Sequence, residues 1–301
     1  YSTPEIKEAM ALGMEYAKKC NADLLLATDP DCDRVGIAVK NKAGKYELLT
    51  GNQTGMLLLD YICCQRVKHG KMPADPVMVK TIVTMDMGEQ IATHYGLRTI
   101  NVLTGFKFIG EQIGKLEKQG RADSYVFGFE ESYGYLAGTY VRDKDAVVAS
   151  MLICEMAAYY RTQGKSLDDV ITELYKEFGY YKNKTVSFEF DGAAGLEKMG
   201  GIMTSLRENH PDEICGRRVT VVNDYKLSLK TDKANGTTAE IKLPKSNVIA
   251  FMLDDGCSIT VRPSGTEPKI KLYITAVGEN EESAIKIADQ LVEAGEKLMG
   301  I

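Results

Sequence analysis

From residue 51 to residue 162 the chain alternates helix-length and strand-length segments, and this alternation limits the possible folds more than any other feature. Residues 54–67 carry a helical pattern, 77–83 an apolar strand run, 88–95 a short helix and 99–103 a strand. A helix over 108–119, a strand over 125–129 and a long helix over 145–162 follow. Parallel neighbours in a sheet need long crossovers, and helices between strands supply them. The spacing therefore predicts an α/β domain with a mixed, mainly parallel sheet covered on both faces.

After Gly179 the texture changes. Residues 185–190, 218–222, 248–252, 258–261 and 270–276 read as strands, most of them separated by turns, with helices over 195–208 and 281–299. The last helix places Ala284, Ile287, Ala288, Leu291 and Leu298 on one stripe, with Asn280 as its cap and Glu281 and Glu282 in its first turn. This is an α+β unit with an antiparallel sheet. Ahead of residue 51, a helix over 4–19 begins with Ser2 or Thr3 as cap, Pro4 in the first turn and Glu5 at the positive end of the dipole. Strands over 24–27 and 35–39 come next. The expected division is 1–51, 52–182 and 183–301. The first piece is too small for a domain and reads as the tail of one, so the chain is expected to be an excerpt of a longer protein.

A length of 301 residues fits two or three domains. The formal net charge is −5 and no basic run is present, which argues against a nucleic-acid partner, since phosphate backbones are gripped by clustered Lys and Arg. The longest apolar stretches, 56–59 and 146–154, fall short of the roughly 20 residues that span a bilayer, so no membrane partner is expected. Seven cysteines with no CxxC spacing fit reduced thiols and a cytoplasmic location.

Four segments carry chemistry. In Thr28-Asp29-Pro30-Asp31-Cys32-Asp33-Arg34, read as extended, the three carboxylates point the same way. Their repulsion, a few kcal/mol per pair at an effective dielectric of about 20, is removed by a hard divalent cation such as Mg²⁺ or Ca²⁺. An EF-hand is excluded, because its Gly and Glu positions hold Arg34 and Lys40. A phosphatase using Asp29 as nucleophile leaves the third acid and Arg34 unexplained, and a solvated acidic turn is the plain alternative. Thr104-Gly105-Phe106-Lys107 joins a strand to a helix and suits an anion contact, or a simple turn.

The third segment, Gly128-Phe129-Glu130-Glu131-Ser132-Tyr133-Gly134, follows a strand and precedes Arg142-Asp143-Lys144-Asp145. Acids and a hydroxyl at a strand's C-terminal end can hydrogen-bond sugar hydroxyls, and a polar turn would look the same. The fourth, Arg262-Pro263-Ser264-Gly265-Thr266-Glu267-Pro268-Lys269, is a turn between strands that gathers a guanidinium, two hydroxyls and backbone N–H groups into an anion nest. No Walker GxxxxGK[ST] occurs, so this is not a nucleotide P-loop.

Taken in this order, the stretches TDPDCDR, TGFKFIGE, GFEESYGYLAGTYVRDKDA and RPSGTEPK resemble the α-D-phosphohexomutase family, closest to its bacterial phosphoglucomutase branch. The resemblance implies that 1–51 is the remnant of domain 2 with the metal loop, 52–182 domain 3 with the sugar loop, and 183–301 domain 4 with the phosphate loop. It implies Asp29, Asp31 and Asp33 as Mg²⁺ ligands and Arg34 beside the transferring phosphoryl group. Lys107 and Lys144 would lie near the reacting phosphate and hydroxyl, one of them assisting proton transfer. Glu130 and Ser132 would read sugar hydroxyls, and Arg262, Ser264, Gly265 and Thr266 would clamp the phosphate that is not transferred.

The implied reaction interconverts glucose 1-phosphate and glucose 6-phosphate through glucose 1,6-bisphosphate, with mannose phosphates as the nearest alternative. The implied phosphoserine stands in a Ser-His-Asn-Pro setting, and none of His69, His94 or His210 lies in one. The chain alone is therefore expected to be inactive. A non-catalytic module that binds sugar phosphate is the alternative from another class. Cys32 stands where the family has Gly or Ala, and its small thiol is expected to be tolerated.

Overall fold

The structure, a computed structural model, describes Pro4 and residues 6–265 and 267–301. Ser2, Thr3, Glu5 and Thr266 lie outside the described residues, and with them the expected helix caps and one clamp hydroxyl. The chain divides into two compact units, Tyr1–Phe178 and Gly179–Ile301.

The first unit opens with α1 (Lys7–Lys19), which starts at Lys7 with Ile6 as its N-cap rather than at the expected residue 4. An antiparallel meander follows, formed by β1 (Leu24–Thr28), β2 (Val35–Lys40) and β3 (Tyr46–Leu49). Next comes α2 (Gly51–Lys68), opened by a capping box in which Thr50 and Gln53 satisfy each other's backbone N–H groups. Its buried residues run from Gly51 to Cys63 and include Met56, Leu57, Leu58 and Leu59 in succession, so this stretch is covered on several sides.

The four-stranded sheet runs in the order β5 (Arg98–Val102), β4 (Val77–Thr81), β6 (Tyr125–Glu130), β7 (Gly134–Leu136). β4 is parallel to β5 and β6, whereas β7 folds back antiparallel on β6. The crossovers are α3 (Met87–His94) and α4 (Phe106–Lys118), the latter seating Phe106, Ile109, Ile113 and Leu116 on the sheet. α5 (Ala146–Arg161) is capped by Asp145, which accepts from the N–H groups of Val147 and Val148 at 2.8 and 3.0 Å. α6 (Leu167–Phe178) closes the unit; it, β3 and β7 are absent from the expected elements, although Leu167, Val170, Ile171 and Leu174 give α6 a clear helical stripe.

The early segment is joined to the rest of this unit by backbone pairing. Val35 N–H donates to Tyr133 O at 3.2 Å, Ala146 N–H to Cys32 O at 3.2 Å, and Arg34 bridges antiparallel to Gly134. Lys42 reaches Asp169 at 2.7 Å, tying the β2–β3 turn to α6. These contacts bring the acidic loop to the edge where β6 turns into β7.

The second unit is an antiparallel sheet with two long helices on one face. Its strand path is β12 (Thr238–Glu240), β11 (Leu229–Asp232), β10 (Arg217–Asp224), β13 (Ile249–Leu253), β14 (Ser258–Pro263), β15 (Lys269–Gly278), β8 (Tyr180–Glu189), and β9 (Glu213–Ile214) pairs with β10. α7 (Gly192–Glu208) and α8 (Glu281–Met299) cover the apolar face, where Ile259, Val261, Ile270, Leu272, Ile274, Ala288 and Leu291 form the core. The Asn280 side chain caps α8 by accepting from Ser283 N–H at 2.9 Å. The β14–β15 turn carries the Arg262–Lys269 motif.

Candidate functional site

The acidic loop is a tight turn between β1 and β2, not the extended segment expected from alternation. Asp29 O accepts from Cys32 N–H at 3.0 Å, and Asp29 Oδ1 accepts from the N–H groups of Asp33 and Arg34 at 3.1 and 2.9 Å. An Asp carboxylate that bonds backbone a few residues on competes with strand pairing and curls the chain. Cys32 sits in the left-handed region at φ 61°, so its fit depends on backbone conformation and not on thiol size alone.

The turn places one carboxylate oxygen from each of Asp29, Asp31 and Asp33 within 4.8 Å of one another. Their donor set is all oxygen, and two backbone N–H groups already orient Asp29, so the loop fits a hard divalent cation. Burial works against the Asp29 charge, but the Arg34 N–H, the Asp33 side chain and N–H, and the Arg34 guanidinium together hold the carboxyl below its usual range. Burial pushes the Asp33 carboxyl up, only partly offset by Lys144, whose Nζ lies 2.5 Å from Asp33 Oδ2. Arg34 Nε stands 4.0 Å from Asp29 and 3.8 Å from Asp33.

The turn from β6 into β7 supplies the second part. Glu130 ends β6 and is only 4% exposed. Burial, then the neighbouring Glu131, pushes its carboxyl up to about 7, against the opposing pull of Lys144, Arg34 and the Ser132 hydroxyl. Gly134 lets these groups converge, since a Cβ there would lie 2.7 Å from Lys144 Cδ and 3.1 Å from Glu130 Oε1. Lys144 loses by burial but is held above the usual lysine range by Asp33, Asp143 and Glu130. Asp29, Asp33, Arg34, Glu130, Ser132 and Lys144 thus form one array.

Lys107 lies in the first turn of α4, exposed, with Nζ 5.0 Å over the Phe108 ring. It stands at the C-terminal edge of the parallel strands, where open α/β sheets bind ligands. Gly105 opens α4 at φ 118°, and Thr104 Oγ1 is buried with no hydrogen-bond partner among the described residues. An unpaired buried hydroxyl beside a helix N-terminus suits an incoming acceptor.

Sequence reasoning passed over the groups that hold this edge. Thr81 Oγ1 lies 2.8 Å from Thr84 Oγ1 and donates to Glu131 Oε2 at 3.3 Å. Lys80, 1% exposed, reaches Asp86 at 2.7 Å, Glu89 at 3.1 Å and Thr84 O at 3.1 Å, which fastens the turn after β4. A lysine inside the apolar run Val77-Met78-Val79-Lys80 was the available signal.

In the second unit Arg262 ends β14, and its buried Nε has no hydrogen-bond partner among the described residues. Ser264 N–H donates to Lys269 O at 2.7 Å and Glu267 N–H to Ser264 Oγ at 3.3 Å, closing the turn around Gly265. A buried guanidinium N–H without a partner, beside a closed turn, suits an oxyanion.

Residues 50–178 match the family description "Phosphoglucomutase/phosphomannomutase, alpha/beta/alpha domain III", residues 2–44 match domain II of that family, and residues 218–294 its C-terminal domain. A phosphoglucomutase of Staphylococcus epidermidis is 38% identical over 274 residues, covering 91% of this chain and 49% of that protein. A phosphoglucomutase of Staphylococcus aureus is 40% identical over 274 residues, covering 91% of this chain and 48% of that protein. The chain spans about half the length of the curated relatives it matches. The fold is similar to the open form of the exocytosis-sensitive phosphoprotein pp63/parafusin, a phosphoglucomutase from Paramecium, with a TM-score of 0.68 at 15% identity over 99% of this chain and 50% of that one. It is also similar to a phosphoglucomutase/phosphomannomutase family protein of Burkholderia thailandensis, with a TM-score of 0.60 at 11% identity over 99% of this chain and 52% of that one. No helix among the described residues is long and apolar enough to cross a membrane.

Proposed function

The chain belongs to the phosphoglucomutase/phosphomannomutase family, and we propose that it carries the metal, sugar and phosphate loops of an enzyme interconverting glucose 1-phosphate and glucose 6-phosphate. The observation that carries this is the array at the β6–β7 turn. Three carboxylates within 4.8 Å of one another stand beside Arg34, Lys144 and the buried Glu130.

Asp29, Asp31 and Asp33 would hold Mg²⁺, which when bound offsets negative charge on the transferring phosphoryl oxygens. Asp29 Oδ1 already accepts two N–H bonds, which favours a ligand role over a nucleophilic one. Arg34 would steady the same phosphoryl oxygens. Lys144, gripped by Asp33, and Lys107, on α4, would be the candidates for moving the proton of the reacting hydroxyl. Glu130 and Ser132 would orient the sugar by its hydroxyls. Arg262, Ser264, Gly265 and Thr266 would grip the second phosphate, and must accept either end of the sugar as a bisphosphate intermediate, glucose 1,6-bisphosphate, turns over. The division of labour is 1–51 for the metal, 52–182 for the sugar and 183–301 for the phosphate.

The phosphoryl donor would be a serine in a Ser-His-Asn-Pro setting, and that motif does not occur in the 301 residues. The chain alone is thus expected to bind hexose phosphate and Mg²⁺ without turnover. Calorimetric titration with glucose 6-phosphate, with and without Mg²⁺, together with a coupled glucose 1-phosphate assay, tests both parts. Absence of binding in either condition would refute the substrate class, and robust turnover from a pure sample would refute the need for a further serine. Titration with mannose 6-phosphate compares the two hexoses.

A further inference from the structure

The turn between β14 and β15 contains an ion pair that the clamp role leaves unused. Glu267 Oε2 lies 2.5 Å from Lys269 Nζ. The carboxylate is the outer member, its side chain 59% exposed against 23% for Lys269. Strand register sets Arg262 directly opposite Lys271, and Lys269 lies two residues before Lys271 on β15, so all three cations share one sheet face at the turn. The hydrogen bond from Lys269, and then the charges of Lys269 and Lys271, hold the Glu267 carboxyl below its usual range. The turn is closed without that carboxylate, by Ser264 N–H on Lys269 O, Lys269 N–H on Glu267 O and Glu267 N–H on the Ser264 hydroxyl. The Glu267 carboxylate is therefore not needed to shape it.

Building on the clamp role inferred above, we propose that Glu267 is an internal counter-anion of the phosphate loop, displaced when a phosphate monoester binds and thereby releasing Lys269 to become a further phosphate ligand. Without an anion, the Glu267 carboxylate pairs with Lys269, which shares its sheet face with Arg262 and Lys271 on the hairpin and with Glu189 directly opposite it on β8. A phosphate monoester brings up to two negative charges and three acceptor oxygens, so it outcompetes one exposed carboxylate for Lys269 while also meeting Arg262. The exchange lowers affinity for phosphate and favours quick release, which suits a loop that must let go of one end of a sugar and take the other.

The test is a double-mutant cycle on the full chain at low ionic strength, with glucose 6-phosphate and inorganic phosphate titrated by calorimetry. Glu267→Gln is expected to tighten both about three- to fivefold, the range an exposed ion pair supplies. Lys269→Gln is expected to weaken both, and in its background Glu267→Gln should bring no gain. An unchanged or weaker affinity in Glu267→Gln would overturn the proposal. So would an equal gain with and without Lys269, which would report only the loss of a negative charge. Arg262→Ala separates the two levels. Loss of binding in that variant with no effect of Glu267→Gln leaves the clamp standing and removes the counter-anion, whereas unaltered binding in Arg262→Ala removes both.

Discussion

Glu130 combines deep burial with a like-charged neighbour, and the proton is the simplest relief for both. Its carboxyl rests at about 7 against an ordinary 4.5, so the folded state binds this proton more tightly than the unfolded chain. The contribution to stability is present below the unfolded value and is lost as pH rises through 7. Without metal or substrate, Glu130→Gln should therefore raise stability at pH 8, by at most about 3 kcal/mol, and change it little near pH 4.5. Urea unfolding of both proteins across that range checks it, and a lower midpoint at pH 8 would show that Glu130 is held as a satisfied anion. Cys32 makes a second case at this scale. At φ 61° a β-branched side chain is strained, so Cys32→Val should cost about 1–2 kcal/mol, whereas Cys32→Gly should cost nothing. Equal losses in the two variants would place the effect in the thiol rather than in the backbone.

Among the elements, α2 shows how a helix start can shape a binding edge. A Cβ on Gly51 would lie 2.1 Å from Glu131 O and 2.7 Å from Tyr133 N, backbone atoms of the β6–β7 turn that cannot swing aside. Gly51 O also accepts from the Tyr135 hydroxyl at 3.1 Å. Gly51→Ala should thus destabilise the chain by about 1–3 kcal/mol and weaken hexose-phosphate binding, because the displaced atoms flank Glu130 and Ser132. Gly200, exposed on α7 with nothing near its Cβ direction, is the contrasting site. Gly200→Ala should add about 0.5–1 kcal/mol through helix propensity. Thermal melts and calorimetry on the two variants separate crowding from a general effect of losing glycine.

At the scale of the whole molecule, each unit has its own buried core, one around the parallel strands β4 and β6 and one between the antiparallel sheet and α7 and α8. Two melting transitions are expected. Mg²⁺ should raise only the one belonging to Tyr1–Phe178, by about 2.7 kcal/mol when present at about a hundred times its dissociation constant. Asp31→Asn should abolish that shift and leave the other transition in place. Scanning calorimetry with Mg²⁺ or EDTA decides it, and a Mg²⁺ shift retained in Asp31→Asn would remove the acidic loop as the metal site.

Much of the fold was legible because apolar periodicity reports which face of an element is covered, and the long elements have unambiguous periods. The parallel core β5-β4-β6, α4, and α8 with its Asn280 cap all follow from such local patterns. The short β3 and β7 escaped because three or four residues cannot display a period, whereas α6 was passed over although Leu167, Val170, Ile171 and Leu174 display one. The identities of the candidate residues were likewise written in local chemistry: clustered carboxylates, a guanidinium beside hydroxyls, acids at a strand end. Their spatial relations were not. Asp33 and Lys144 are more than 100 residues apart in sequence and meet because Val35, Cys32 and Arg34 pair with backbone around residues 133–146. The curl of the acidic loop, the burial that pushes Glu130 up, and the close approach at Gly51 depend on packing partners distant in sequence. Residue type and spacing determined which chemistry the chain can offer, while tertiary structure alone decided which groups meet and in which protonation state, because desolvation and proximity are properties of the packed chain.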